Sequence, residues 1–180
     1  MNDLALHILD IIQNSLSAGA RLIKLTIIED IEGDKLTISI EDNGKGMSAA
    51  QVQKLSDPFF TSRTTRRVGL GIPMLKQAAE QSGGEIRVES EPGAGTVVTA
   101  YFQYSNIDRP PLGDVANAFI LTVSSNPDVE FLLRYEVNGV GYVFDTVEVK
   151  KVLEDIPLFD ASIIRTLTEM IKENIKELKQ

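Results

Sequence analysis

The chain has 180 residues, of which 43% are hydrophobic, and its 26 acidic and 18 basic residues give a net charge of -8. This length predicts one domain, or one domain with an appendage. The acidic balance argues against nucleic acid and anionic membrane surfaces as main partners, because both are bound by concentrated basic faces. The chain contains no cysteine and one histidine, which excludes disulfides, thiolate nucleophiles, and thiolate or multi-histidine metal sites.

Neither a membrane span nor a targeting signal is visible. No apolar run approaches the roughly 18 residues of a spanning helix. The start, Met1-Asn2-Asp3, lacks the basic residues of a secretion signal. We therefore expect a soluble, cytoplasmic protein.

The first hundred residues alternate between helical and strand patterns. Apolar residues recur at helical spacing after Asn2 or Asp3, either of which can cap a helix that ends at Gly19. The predicted elements are a helix from Leu4 to Leu16, a hairpin of strands 22–31 and 36–40, a short helix opened by Ser48 with Gln51 as a capping box, a helix between Gly71 and Gly83-Gly84, and strands 85–89 and 96–104.

The composition shifts at Ser105, where the stiff connector 106–113 begins. Beyond it, the pattern predicts a helix near 115–123, a hairpin of strands 129–137 and 140–144 around Asn138-Gly139, and a final helix from Asp160 to about Leu178. We therefore divide the chain into residues 1–104 and residues 105–180. The apolar hairpin and the amphipathic final helix either pack on the first part or dock a partner.

Glycines cluster at three junctions between elements, and such clusters let the backbone adopt positive φ and let a ligand approach closely. The pairs are Gly44 and Gly46, Gly69 and Gly71, and Gly93 and Gly95. The second pair opens a helix, whose free N–H groups and dipole favour an anion. It does not fit the P-loop, because no Lys-Ser/Thr pair follows the last glycine. It does not fit the dinucleotide fingerprint either, because no strand precedes it.

Polar residues interrupt the apolar first helix. Asp10 and Asn14 are four residues apart and share a face, with His7 on nearly the same stripe. An amide and a carboxylate on one stripe suit Mg²⁺, which takes few protein ligands and keeps its waters. Asp42 follows the second strand beside Gly44 and Gly46, and considered alone it would be interpreted as a turn-forming residue.

The order of these segments resembles the ATP-binding (GHKL or Bergerat) fold shared by gyrase-type topoisomerases, heat-shock chaperone ATPases, sensor histidine kinases and mismatch-repair ATPases. Five segments carry the resemblance: His7–Ala20, Asp42–Met47, Asp57–Arg63, Gly69–Gly71 with its helix, and Gly93–Thr96. The third segment resembles the phenylalanine box of histidine kinases, the nearest branch. The resemblance implies an α+β two-layer sandwich, with a mixed, mostly antiparallel sheet, helices on one face, and a small α+β C-terminal extension.

The resemblance also implies roles for individual residues toward ATP and Mg²⁺. Asn14 would ligate Mg²⁺, Asp42 would read the adenine amino group, and Asp10 would stand at the catalytic position. The remaining residues implied to bind the nucleotide are Gly44, Gly46, Met47, Phe59, Arg63, Gly69, Leu70, Gly71 and Thr96. The loop from Thr61 to Val68 would be the ATP lid, and its arginines, with no acid among them, would neutralise the phosphates.

Two departures from the family pattern bear on activity. Where the family hydrolyses ATP, the residue four positions before the Asn is usually Glu, whereas here it is Asp10, one methylene shorter. A histidine kinase normally carries a two-helix dimerisation segment with its phosphoacceptor before this domain, whereas here the domain begins at residue 1. His7 lies within the first box, and we interpret it as a helix residue beside the nucleotide rather than as the acceptor.

These features support three functional hypotheses. The first is a Mg-ATP-binding signalling module of histidine-kinase type that phosphorylates a separate protein in trans. The second is a non-catalytic or slow ATP-dependent regulatory subunit, and the third is an ATP-driven dimeric clamp. The last third of the chain resembles the extension of bacterial stand-alone ATP-binding proteins found with iron-only hydrogenase and related redox subunits, which would make such a complex the partner.

Overall fold

The computed structural model describes residues 3–55 and 70–180, which form a six-stranded sheet and its surrounding helices. In chain order the elements are α1 (Leu4–Ser17), β1 (Leu22–Asp30), β2 (Lys35–Asp42), α2 (Ala49–Lys54), α3 (Gly71–Gln81), β3 (Glu85–Glu91), β4 (Gly95–Gln103), α4 (Val115–Ser125), β5 (Glu130–Val137), β6 (Val140–Asp145), α5 (Thr146–Leu153) and α6 (Ala161–Leu178). The strand order is β3-β4-β2-β1-β5-β6. Every neighbouring pair is antiparallel except β1 and β5.

Side-chain caps set the starts of the helices. The Asp3 carboxylate accepts a 3.0 Å hydrogen bond from the Leu6 N–H at the start of α1. Ser48 and Gln51 form the predicted capping box at α2, and Asp160 caps α6. Each cap satisfies N–H groups that have no partner within the helix, and the three predicted helix starts are confirmed.

The helices α1, α3, α4 and α6 cover one face of the sheet. On β1, the alternating residues Ile23, Leu25 and Ile27 are fully buried against this layer, whereas the residues between them are only half-buried. This alternation is typical of a strand with one face on a core. The predicted two-layer α+β class is therefore confirmed. Among the described residues, no helix is both long and apolar enough to cross a membrane.

The C-terminal hairpin extends the same sheet. β5 pairs in parallel with β1, with Leu133 opposite Leu25, and β6 closes back on β5 through Asn138-Gly139. Both turn residues have positive φ, 47° and 84°, as a two-residue type I′ turn requires. The helix α5 was not predicted. It is short, and Thr146 is its one buried residue, so it offers little apolar periodicity.

A buried carboxylate links the two parts of the chain. Glu29, at the end of β1, is only 2% exposed. It accepts hydrogen bonds from the hydroxyls of Tyr135 at 2.6 Å and Tyr104 at 3.3 Å, and Lys179 lies 3.3 Å away. These partners compensate for the loss of water around the charge.

Candidate functional site

A cavity of about 270 Å³ lies between α1, the loop after β2, the start of α3 and β4. Predicted site residues from separate parts of the chain line this cavity: Asn14, Asp42, Gly46, Met47 and Thr96. Ile72 and Val98 contribute apolar surface. Such a mixture, mostly apolar with a few convergent polar groups, is typical of a small-molecule site.

The Asp42 carboxylate is buried and held at both oxygens. Its Oδ1 accepts a 2.8 Å hydrogen bond from the Gly44 N–H, and its Oδ2 accepts a 2.6 Å hydrogen bond from the Ser15 hydroxyl. A carboxylate oxygen has lone pairs for more than one hydrogen bond, so each keeps accepting capacity toward the cavity. The side chain is thus an oriented acceptor at the end of β2.

The loop after Asp42 requires glycine at Gly46. Its φ is +69°, and an added Cβ would lie 1.9 Å from the carbonyl oxygen of Glu91. The neighbouring Lys45 carbonyl accepts a 2.6 Å hydrogen bond from the Gly93 N–H. The loop after β2 therefore packs closely against the β3–β4 turn and is hydrogen-bonded to it, which fixes one wall of the cavity.

Thr96 is connected to this wall through Ser90. The two hydroxyls share a 2.8 Å hydrogen bond, and Ser90 Oγ also accepts a 2.8 Å bond from the Met47 N–H. Ser90 Oγ further donates to the Gly95 carbonyl at 2.9 Å. One serine thus holds Thr96 and Met47 in a common arrangement.

The helix α1 forms the opposite wall. Asn14 faces the cavity and is half-buried, and within the described ranges its amide makes no hydrogen bond. Asp10 lies one turn earlier, against the start of α3. His7 is only 4% exposed, and burial, more than the positive charge of the N-terminus, lowers its pKa against the opposing effects of Asp10 and Asp3.

The start of α3 approaches α1 closely because residue 71 is glycine. A Cβ at Gly71 would lie 3.1 Å from the Asp10 Cβ. Leu70 occupies the N-cap position, and no side chain of the described residues caps the first N–H groups of α3. Phe59, Arg63, Gly69 and the Thr61–Val68 loop lie outside the described residues.

Sequence reasoning missed Ser15 and Ser90. Ser15 is a buried polar residue within the apolar stripe of α1, next to Asn14, and that position was a detectable signal. Ser90 lies directly opposite Thr96 in the β3–β4 pairing. The predicted turn at 92–95 was a second signal, because it places these two side chains across from each other.

The mixed six-stranded sheet with its helix layer is the architecture of the GHKL ATP-binding class. Residues 2–106 match the family model described as histidine kinase-, DNA gyrase B-, and HSP90-like ATPase, and the chain belongs to this family. It therefore carries an ATP-binding domain that is similar to the catalytic domains of histidine kinases.

Curated relatives are sensor kinases. The sensor histidine kinase ZraS of Klebsiella oxytoca is 35% identical over 107 residues, which cover 59% of this chain and 23% of that protein. Sporulation kinase E of Bacillus subtilis is 40% identical over 70 residues, 39% of this chain and 9% of that protein. The chain thus spans less than a quarter of the length of these relatives.

Solved structures share the fold. The ATPase domain of Aquifex aeolicus MutL complexed with ADP superposes with a TM-score of 0.52 at 16% identity, covering 86% of this chain and 70% of that one. The N-terminal domain of a DNA repair protein gives a TM-score of 0.59 at 14% identity, covering 79% and 52%. At these identities the likeness concerns the fold alone.

Proposed function

We propose that this protein binds Mg-ATP in the cavity beside Asp42 and transfers the terminal phosphoryl group to an acceptor on a separate protein. The observation that carries this proposal is the Asp42 carboxylate, buried at the cavity wall and held at both oxygens by Ser15 and Gly44. The similarity of this chain to sensor and sporulation kinases supports transfer to a protein acceptor.

Asp42 accounts for base selection. The amino group of adenine donates a hydrogen bond to the free lone pairs of the carboxylate. Guanine presents a carbonyl oxygen at that position, which would repel the carboxylate and leave it unpaired. A site built around one buried hydrogen bond rejects the wrong partner strongly.

The α1 wall fits a magnesium ion. Asn14 lines the cavity, and among the described residues no group of three His, Cys, Asp or Glu side chains could hold a metal. Mg²⁺ suits such a sparse site, because it keeps several waters and binds substrate phosphates. When bound, the ion would supply charge neutralisation at the phosphates, with Asn14 as its ligand from this chain.

The phosphates are expected to point toward the start of α3. The N–H groups after Leu70, which no side chain of residues 3–55 and 70–180 caps, and the positive end of the helix dipole favour anions there. Phosphoryl transfer needs mainly positioning and charge stabilisation. In the transfer, the bond between the terminal phosphorus and the bridging oxygen breaks, ADP leaves, and the acceptor forms the new bond and releases its proton.

The acceptor is expected on another protein. His7 is the one histidine in the chain, and its ring is buried within α1. It precedes Asn14 by about two helical turns. His7 is not among the described residues that line the cavity, although the sequence predicted it at the cavity wall. A buried side chain at this distance along α1 cannot align behind the terminal phosphate unless the helix unwinds.

Calorimetry with ADP and ATP tests the binding step. The variant Asp42→Asn should lose adenine-nucleotide binding while remaining folded, whereas the neighbouring Glu41→Gln should bind like the parent. GTP binding as tight as ATP binding would contradict the assignment of Asp42.

Incubation with radiolabelled ATP tests the transfer step. The purified chain alone should acquire no stable label, and label should appear on a protein acceptor added with it. Acid-labile, alkali-stable label on the chain itself, lost in His7→Gln while ATP binding survives, would overturn transfer in trans.

A second candidate function is ATP-dependent regulation without transfer or with slow hydrolysis. The residue that favours it is Asp10, whose carboxylate is one methylene shorter than glutamate at this position. Tight Mg-ATP binding with no transfer to any acceptor would support this function, and the partner would then respond to the bound nucleotide.

A further inference from the structure

The two edges of the sheet differ in how they are protected. The β3 edge carries a charged residue at every second position, from Glu85 through Arg87 and Glu89 to Glu91, and α2 packs beside it. The β6 edge has no charge between Asn138 and Asp145. Charged side chains and covering elements are the usual means of preventing edge pairing. The helix α6 contacts β6, but no charged side chain protects the β6 edge between these two positions.

Exposed apolar side chains concentrate at and after this edge. Of the twelve large hydrophobic residues that are exposed in the described ranges, six lie between positions 140 and 159. Two belong to β6 itself, where Val140 is 62% exposed and Val143 is 56% exposed. Because side chains alternate along a strand, these two valines lie on opposite faces of β6, so both faces of this edge expose apolar surface.

The hairpin turn determines which backbone groups point outward. Val137 and Val140 flank a two-residue type I′ turn and therefore form a hydrogen-bonded pair. Since the orientation alternates along an antiparallel ladder, Tyr142 and Phe144 also bond inward to β5. The backbone groups of Gly141 and Val143, and the Asp145 N–H, consequently point away from the sheet.

The helix α5 leaves this row of groups open. Its first residue, Thr146, accepts a 2.9 Å hydrogen bond from the Phe131 N–H and donates to Glu130 at 2.6 Å. Lys150 donates to Glu130 and to the Pro127 carbonyl, each at 2.8 Å. The helix is thus tied to the start of β5 rather than lying over the outer edge of β6.

We propose that β6 pairs antiparallel with β6 of a second copy of this chain, about a two-fold axis at Val143. The outward groups are arranged symmetrically about this residue. Val143 would exchange both backbone hydrogen bonds with its counterpart, and the Asp145 N–H would donate to the Gly141 carbonyl of the other copy. The same patch then serves both subunits, as a two-fold interface requires.

Side-chain pairing favours a second copy as the occupant, and the proposed register avoids contacts between like charges. The chain has a net charge of -8, so two copies repel wherever their acidic surfaces meet. In the proposed register Val143 faces Val143, and Asp145 faces Gly141, so no carboxylate opposes another. On the helix-bearing face Tyr142 would lie opposite Phe144, an aromatic pair that stabilises adjacent strands.

Cross-linking tests this register directly, because the chain has no cysteine. Facing residues in an antiparallel hydrogen-bonded pair have Cα atoms about 5.5 Å apart, within the range of a disulfide. Val143→Cys should therefore oxidise rapidly to a covalent dimer. The control is Ile107→Cys, in the connector, where the native side chain is 96% exposed. Equal rates for the two variants would overturn the proposal.

Sedimentation velocity tests the association without a cross-link. The parent chain and Val143→Ala, which keeps the backbone donor, should dimerise, whereas Val143→Pro should be monomeric. Proline is tolerated where an edge N–H points outward, and unchanged ADP affinity and circular dichroism would verify the fold. A monomeric parent, or a dimer that persists in Val143→Pro, would overturn the proposal.

The dimer should form equally with and without Mg-ATP, because β6 lies at the far side of β1 from the strands that line the cavity. A dimer that forms only in the presence of Mg-ATP would contradict the proposal and indicate an ATP-driven dimeric clamp instead. The inference is therefore independent of the proposed phosphoryl transfer, and either can fail while the other holds.

Discussion

The hydroxyl of Ser15 donates a 2.6 Å hydrogen bond to Oδ2 of Asp42, joining α1 to the end of β2 across 27 positions of the chain. Both side chains are buried. The bond fixes the plane of the carboxylate at the wall of the cavity, and so sets the direction in which its remaining lone pairs point.

Ser15→Ala should weaken ADP binding. A hydrogen bond to a charged group contributes about 1.5–3 kcal/mol, and a loss of about 1.4 kcal/mol corresponds to about a tenfold rise in Kd. Calorimetry would measure it. The matched control is Ser17→Ala on the same helix and the same cavity, whose hydroxyl has no hydrogen bond among the described residues. Equal affinities for both variants would show that the Ser15 bond does not orient Asp42 for binding.

Asn14→Ala should weaken Mg-ATP binding far more than binding of metal-free ADP. The reason is that the amide oxygen is expected to act through the metal and not through the base. Calorimetry with each ligand, with and without EDTA, separates the two effects. Equal losses for both ligands would mean that Asn14 has a structural role only.

Gly46→Ala should destabilise the fold more than Gly93→Ala. Both residues have positive φ, 69° and 80°, so both variants incur the left-handed strain of about 1 kcal/mol. The Gly46 variant adds a clash with the Glu91 carbonyl, whereas nothing lies within 4 Å of a Cβ at Gly93. Urea unfolding measures the difference. Similar midpoints for the two variants would contradict the close packing of the loop after β2 against the β3–β4 turn.

Tyr135→Phe should cost about 1.5–3 kcal/mol of unfolding free energy, because it leaves one oxygen of the buried Glu29 carboxylate without its 2.6 Å donor. Tyr104→Phe is the comparison. Its bond to Glu29 is longer, 3.3 Å, and the ring is less buried, so the cost should be smaller. Chemical denaturation of both variants measures the costs. The reverse order would mean that Tyr135 is not the main partner of the carboxylate.

The pH dependence of stability should change when His7 is replaced. Burial holds the folded pKa of His7 below its ordinary value of 6.5, so in the window below 6.5 the unfolded chain binds more protons. Above this window His7 is neutral in both the folded and the unfolded chain. The free energy of unfolding therefore decreases as the pH drops through the window. Thermal unfolding between about pH 5 and 7 should show a shallower dependence in His7→Leu than in the parent. An unchanged slope would mean that the folded pKa is ordinary.

Much of the secondary structure could be predicted from the sequence, because it depends on interactions between residues close together in the chain. The helix α1 follows from its apolar spacing and the Asp3 cap, and the β5–β6 turn follows from Asn138-Gly139, because each depends on residues close together in the chain. The order of the glycine-bearing segments likewise indicated an ATP-binding domain, and the family match agrees with it.

The tertiary structure decided which distant residues meet. The parallel pairing of β1 with β5, the contact of Ser15 with Asp42, and the sharing of Glu29 by Tyr104 and Tyr135 each join positions far apart in sequence. Such contacts depend on the register and stacking of whole elements, which have no local signature. Periodicity shows that a residue is buried, but packing determines which side chain lies opposite it.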